Sequence, residues 1–138
     1  MKKTLFIVAV TAMVLAGCAT KAPTPTPSYS KNINVTKPVL GQEMQSPFTV
    51  EGKVIGTWFF EASFPIKLVD ERGKVLATTI AQAQGDWMTT DWVPFQANLQ
   101  FNVTEKTPAI LVLEKDNPSG LVENNEAMSI PVILAPTK

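Results

Sequence analysis

Histidine is absent from the 138 residues, and Cys18 is the sole cysteine. Without an imidazole the chain lacks the usual general base near neutral pH and the commonest metal ligand. One thiol forms neither an intramolecular disulfide nor a multi-cysteine zinc site. A Ser–His–Asp triad is therefore impossible, and no motif supports Ser–Lys chemistry. Asp86 with Asp91, or Glu61 with another carboxylate, could be paired as in a glycosidase, where two carboxyl groups at a set separation are required. Any chain of this length supplies such pairs. Glu114, Asp116, Asn117, Glu123, Asn124, Asn125 and Glu126 crowd oxygen donors near one loop. Calcium needs several oxygens held in a defined loop. This spacing matches no EF-hand, and solvated loop acids account for it equally well. No catalytic residue, metal or cofactor is assigned, and a hydrolase acting on glycan or ester is the last alternative.

Aromatic side chains offer a second kind of chemistry, stacking on a sugar ring or an apolar partner segment. Trp58-Phe59-Phe60-Glu61 is the densest group, and in an extended segment Trp58 and Phe60 face one way and Phe59 the other. Trp87 and Trp92 bracket Met88-Thr89-Thr90-Asp91 in a loop opened by Gly85-Asp86. Trp58, Phe59, Trp87 and Trp92 are therefore the candidate ligand-contacting residues. The competing account is core packing for some of them and half-exposed strand or loop positions for the rest.

These side chains need a scaffold, and the front of the chain supplies its address. Lys2 and Lys3 precede an apolar run from Leu5 to Gly17 that is too short to span a bilayer but has the length and flanks of a signal-peptide core. It ends in Leu15-Ala16-Gly17-Cys18, which resembles a bacterial lipobox: an aliphatic residue, two small residues and a cysteine. The resemblance implies that the Cys18 thiol receives diacylglycerol, that cleavage falls before it, and that the new amine is acylated, as with palmitate. More than one acyl chain matters, because a single chain holds only weakly at about 0.8 kcal/mol per buried methylene. Residues 1–17 are thus read as a lipoprotein signal peptide, and the mature chain as lipid-anchored on the extracytoplasmic side of a cell membrane. Ala19 stands where an aspartate commonly retains Gram-negative lipoproteins at the inner membrane, which implies the periplasmic face of the outer membrane in such a cell. Residues 18–31 form a tether in which Pro23, Pro25 and Pro27 alternate with threonines. As polyproline II it would reach about 40 Å. The whole chain balances 12 basic against 12 acidic residues; loss of Lys2 and Lys3 leaves the mature form mildly acidic. No clustered positive field suits nucleic acid.

Residues 32–138 alternate apolar and polar side chains with the period of half-buried strands. Phe48, Val50, Gly52 and Val54 form one such face; Phe60, Ala62, Phe64, Ile66 and Leu68 a second; Phe95, Ala97, Leu99, Phe101 and Val103 a third; Met128, Ile130, Val132 and Leu134 a fourth. Residues 110–113 are instead continuously apolar, as expected of a strand covered on both faces or near an interface. Further strands over 33–36 and 74–83 bring the total to about seven, joined by turns such as Asp70-Glu71-Arg72-Gly73 and Asn117-Pro118-Ser119-Gly120. Seven short strands in a domain of this size predict an all-β, immunoglobulin-like β-sandwich. Pro65, Pro94 and Pro131 place their strands at edges or bulges.

From residue 33 to 134 the domain resembles the immunoglobulin-like domain of bacterial spore germination, the second of the modules associated with GerM-type proteins. The resemblance lies in Ser46-Pro47-Phe48-Thr49-Val50-Glu51-Gly52, the Phe60-Glu61-Ala62 step and Leu68-Val69-Asp70-Glu71-Arg72-Gly73. It continues through Pro94-Phe95, the segment 111–120 and Ile130-Pro131-Val132. It implies an extracytoplasmic β-sandwich with no catalytic residues to carry over; the GerM partner domain is absent from this chain. Anchor, spacer and catalytically bare sandwich together predict a non-catalytic binding or assembly module of the cell envelope, with an envelope protein or cell-wall glycan as partner. The alternative is a structural component that self-assembles through exposed strand edges.

Overall fold

The alternating segments become the strands of one curled sheet. A computed structural model describes residues 27–138; the segment expected to be a signal peptide, Cys18 and the first part of the expected tether lie outside the described residues. The strands are β1 (Ile33–Lys37), β2 (Glu43–Met44), β3 (Phe48–Ile55), β4 (Ser63–Asp70), β5 (Val75–Ala83), β6 (Trp92–Leu99), β7 (Thr107–Glu114) and β8 (Ala127–Leu134). Their order is β1-β3-β6-β5-β4-β7-β8-β2. Pairing between β5 and β6 is confined to Gln82 with Gln96 and Ala83 with Phe95, so this junction is where the sheet folds over. The two halves, β1-β3-β6 and β5-β4-β7-β8-β2, face each other as an immunoglobulin-like β-sandwich.

Period two decides what lies between the halves. Val50 and Val54 of β3, Phe95 and Leu99 of β6, Phe64, Ile66 and Leu68 of β4, Leu111 and Leu113 of β7, and Ile130, Val132 and Leu134 of β8 fill the core. Phe64 is central, with Phe95, Phe59 and Trp58 at ring-centroid distances of 4.9, 5.4 and 5.7 Å. Gly52 lets β3 pass between its neighbours, since a Cβ there would lie 2.4 Å from the Asn34 carbonyl oxygen and 2.9 Å from the Phe95 ring.

The differences from the sequence reading have local causes. There are eight strands rather than seven, because β2 is a two-residue strand running parallel to the end of β8, too short to carry a pattern. The strand expected from Phe60 begins at Ser63. Glu61 and Ala62 both have positive φ, +49° and +63°, and close a tight turn in which Phe60 and Ser63 exchange backbone hydrogen bonds of 3.0 and 3.1 Å. That turn throws Phe60 outward instead of onto the face shared by Phe64 and Ile66. The strand expected over 95–103 starts earlier, at Trp92, and stops at Leu99. Phe101 stays buried beyond its end, with its N–H donating to Ser46 Oγ at 2.9 Å.

Pro65, Pro94 and Pro131 do not mark edge strands, since β4, β6 and β8 each have neighbours on both sides. Each proline sits where one of those ladders has stopped. Pairing of β4 with β7 starts only at Ile66. Pro94 lies outside the short β5–β6 ladder and offers its carbonyl to the Gln84 N–H at 2.8 Å. Pro131 precedes the β2 pairing and accepts from the Gly41 N–H at 2.8 Å. The missing N–H is thus spent where no strand asks for it.

Candidate functional site

Trp58 ends a one-turn 3-10 segment, Gly56–Trp58, between β3 and the Phe60–Ser63 turn. That turn carries both Trp58 and Phe59 inward, overriding the alternation of an extended segment, and Trp58 is fully buried. Its indole stands edge-on to Phe64, and its Nε1–H donates to Glu126 Oε2 at 3.2 Å. Asn32 Nδ2 donates to the two oxygens of the same carboxylate at 2.9 and 3.2 Å, and the Ser30 hydroxyl also donates to it. Glu126 therefore joins the tether's end, the approach to β1, the aromatic core and the start of β8. Trp58 presents no stacking surface to a ligand; as a ligand-contacting candidate it is corrected to a core residue, because its polar handle is taken internally.

Phe59 and Trp87 come together at one end of the sandwich. The loop after β5 folds back onto the 3-10 segment so closely that a Cβ on Gly56 would stand 2.0 Å from the Thr89 carbonyl oxygen and 2.4 Å from that of Trp87. The Gly56 N–H donates to the Asp91 carbonyl at 3.0 Å, and Asp86 Oδ1 receives the Met88 N–H at 3.0 Å. The result is an open groove of about 580 Å³ lined by Gly56, Thr57, Phe59, Trp87, Met88 and Thr90 among others. Phe59 is nearly all interior and Trp87 half-buried, whereas Met88 stands 78% exposed. Trp92 is separate: it opens β6, is 44% exposed, and has Lys53 Nζ 5.2 Å from its ring centroid. The four candidate aromatics thus divide into one core residue, two at a groove and one on a strand face.

The oxygen-rich loop does not converge on a cation. Glu114 pairs with Lys67 at 2.7 Å, Asn117 Nδ2 donates to the Leu121 carbonyl and to Asn125 Oδ1, both at 2.8 Å, and Glu126 is engaged as described. No group of three metal-binding side chains occurs among the described residues.

A different surface emerges on β7. Ala109, Leu111 and Leu113 point into the sandwich; Ile110 and Val112 point out. Register places Val69 of β4 and Pro131 of β8 beside Ile110, and Pro108 beside Ile133. Pro65 and Ile80 are paired on the same outer face, and Ile80 is 49% exposed. Pro108, Ile110, Pro131 and Ile133 line a shallow hollow of about 130 Å³ with Gly41 and Glu71. The only charged contact across this face among the described ion pairs is Lys67 with Glu114. The continuous apolar run at 110–113 signalled this face in the sequence; its extension over β4 and β8 depends on register, which no local pattern reveals.

The fold is that of an immunoglobulin-like β-sandwich, and comparison with known families gives it a place. The model of the immunoglobulin-like domain of bacterial spore germination matches residues 32–120, more than half of the chain. The chain belongs to that family. The match takes in β1 to β7, while β8, which completes the larger sheet, lies beyond it. Searches of curated proteins and of solved structures returned no match. An immunoglobulin-like domain of this family points to a binding or structural module of non-catalytic kind.

Proposed function

We propose that the protein is a lipid-anchored module of the cell envelope whose sandwich binds another envelope protein. The observation that carries this reading is the outer face of β4, β7 and β8. A strand that is apolar on both sides is the signature of burial on both sides, and no strand or helix among the described residues packs over Ile110 and Val112. Apolar surface of this kind, here crossed by the Lys67–Glu114 pair, is favoured where a partner covers it. Acylation at Cys18 and the proline-rich spacer would hold that face within reach of a membrane-bound partner, and at the periplasmic face of the outer membrane in a Gram-negative cell.

Site-specific photocrosslinking in cells tests it. A photoreactive residue at Ile110 or Ile80 is expected to trap a protein, whereas one at Asn98, exposed on the opposite sheet, is not. Equal trapping at all three positions, or none at Ile110, defeats the reading. A ladder of the chain's own multiples would support the alternative, self-assembly.

A second reading, cell-wall glycan as ligand, is favoured by the groove: Trp87 offers a ring face, with the hydroxyls of Thr57 and Thr90 beside it. Co-sedimentation with purified peptidoglycan that falls in the Trp87→Ala variant would support it; retention unchanged by that substitution would remove the groove from consideration.

A further inference from the structure

The chain enters the domain along the open seam of the sandwich, where β1 of one half faces the start of β8 of the other. Ser28 bridges Ser129 there, with the Ser129 N–H donating to the Ser28 carbonyl at 3.3 Å. Val35 of β1 and Met128 and Ile130 of β8 line a hollow of about 200 Å³, and Tyr29, Val39 and Leu40 stand around it. Those three are 75%, 60% and 59% exposed. Pro27, on the rim of the same hollow, is the first described residue, so the segment from Cys18 arrives at this patch. Single exposed apolar side chains are ordinary; three large ones gathered at the point of entry are a contact surface.

We propose that Tyr29, Val39 and Leu40 form a membrane-contact surface that seats the domain directly on the lipid bilayer. The inference rests on the acylation of Cys18 proposed above. Nine residue steps separate Cys18 from Pro27, about 28 Å when drawn out as polyproline II. An anchored chain therefore keeps this patch within roughly a domain's width of the bilayer, and tethering over such a span gives effective concentrations on the order of millimolar. A weak affinity for lipid then suffices.

The side chains suit the interface. Tyrosine places an apolar ring and a polar hydroxyl at headgroup depth, and Val39 and Leu40 lie in the loop joining β1 to β2. Much of that loop's backbone is already paired. The Val39 N–H donates to Gln42 Oε1 at 2.9 Å, the Gln42 N–H to the Val39 carbonyl at 3.0 Å, and the Gly41 N–H to the Pro131 carbonyl at 2.8 Å. Entry into the headgroup region thus strips water from few unpaired polar groups. A protein partner could cover such a patch anywhere on the domain; its position around the entry of the tether favours the membrane.

The test uses the full mature chain, purified from membranes and reconstituted in phosphatidylcholine–phosphatidylglycerol vesicles carrying a carbene-generating lipid. Adducts are mapped by peptide mass. Labelling is expected on Tyr29 and on Val39–Leu40, and in the Val39→Asp/Leu40→Asp variant it falls about tenfold, as charge at this depth requires. Both positions are exposed, so the variant's thermal melt is expected to match the parent. A chain retained on the vesicles but labelled only within residues 18–26 overturns the seating while leaving the anchor intact. A chain that leaves the vesicles in a carbonate wash overturns the anchor, and the seating with it. A dimer that the same two substitutions dissolve would assign the patch to a second copy and overturn the proposal.

Discussion

Replacing Glu126 by alanine would leave the Trp58 indole N–H without an acceptor inside the domain and would free Asn32 and Ser30 together. A buried donor stripped of its partner costs about 1–3 kcal/mol, so Glu126→Ala is expected to destabilise by roughly 2 kcal/mol, read from urea unfolding. Glu126→Gln retains an acceptor oxygen and should cost less. Trp58→Ala removes a fully buried indole and should cost about 3–5 kcal/mol. If Glu126→Ala melts with the parent, the hydrogen-bonded cluster is decoration. Nothing in the sequence near Trp58 announced this fate: its acceptor lies 68 residues away. Glu126 was legible only as one acid in an oxygen-rich loop. The stacking role assigned to Trp58 failed for a related reason, since a 3-10 turn breaks the period on which sidedness was judged; Phe59, carried inward by the same turn, is left lining the groove. Trp87 and Trp92, outside that turn, kept at least part of their rings toward solvent.

Turns and strands differ in how openly they write themselves into sequence. Alternation located β3, β4, β6 and β8 because a half-buried strand needs every second residue apolar, and a continuous apolar run located β7, whereas two-residue β2 imposes no such demand. The Phe60–Ser63 turn was hidden because two positive-φ residues in a hairpin are normally announced by Asn-Gly, and here they are Glu61 and Ala62. That mismatch gives a prediction. Left-handed backbone costs an ordinary L-residue about 1 kcal/mol or more. Glu61→Asn with Ala62→Gly is therefore expected to stabilise the domain by about 1 kcal/mol, part of the gain being offset by the freer unfolded glycine. A lowered urea midpoint would mean that the Glu61 side chain or the Ala62 methyl contributes something the turn geometry does not show. Gly56 argues the opposite sense. A methyl group there would strike the backbone of the 85–91 loop, which is not the yielding end of a side chain. Gly56→Ala should cost about 1–3 kcal/mol by overpacking and detach that loop, visible as faster hydrogen exchange at the Gly56 and Gln84 amides.

Viewed entire, the molecule separates what holds it together from what holds it in place. The interior is one apolar core, and the polar cluster around Glu126 is the point where the arriving chain is fastened to it. Residues 28–30, read from sequence as the last of the spacer, are in fact docked on β8 and beside the core, because serines in a proline-rich run still carry backbone and hydroxyl groups that can pair. Everything from Cys18 to the first described residue then connects a finished domain to its proposed anchor. The consequence is testable as an independence. Cys18→Ser, in a chain exported behind an ordinary cleavable signal peptide in place of residues 1–17, removes the one thiol able to form the thioether, so palmitate labelling should vanish and the chain should no longer sediment with membranes after a carbonate wash. Its urea midpoint, measured on protein extracted in the same detergent, should equal that of the lipidated form, since the contacts that fasten the arriving chain to the domain are made by Ser28 and Ser30. A single weak lipid-facing patch without acyl chains does not hold a protein on a bilayer against washing, because only multiple buried methylenes supply that much free energy. Retention of Cys18→Ser in the washed membrane fraction would therefore mean that the outer face of β4, β7 and β8 grips a membrane-bound partner strongly enough to replace the lipid, and the anchor would be redundant rather than primary.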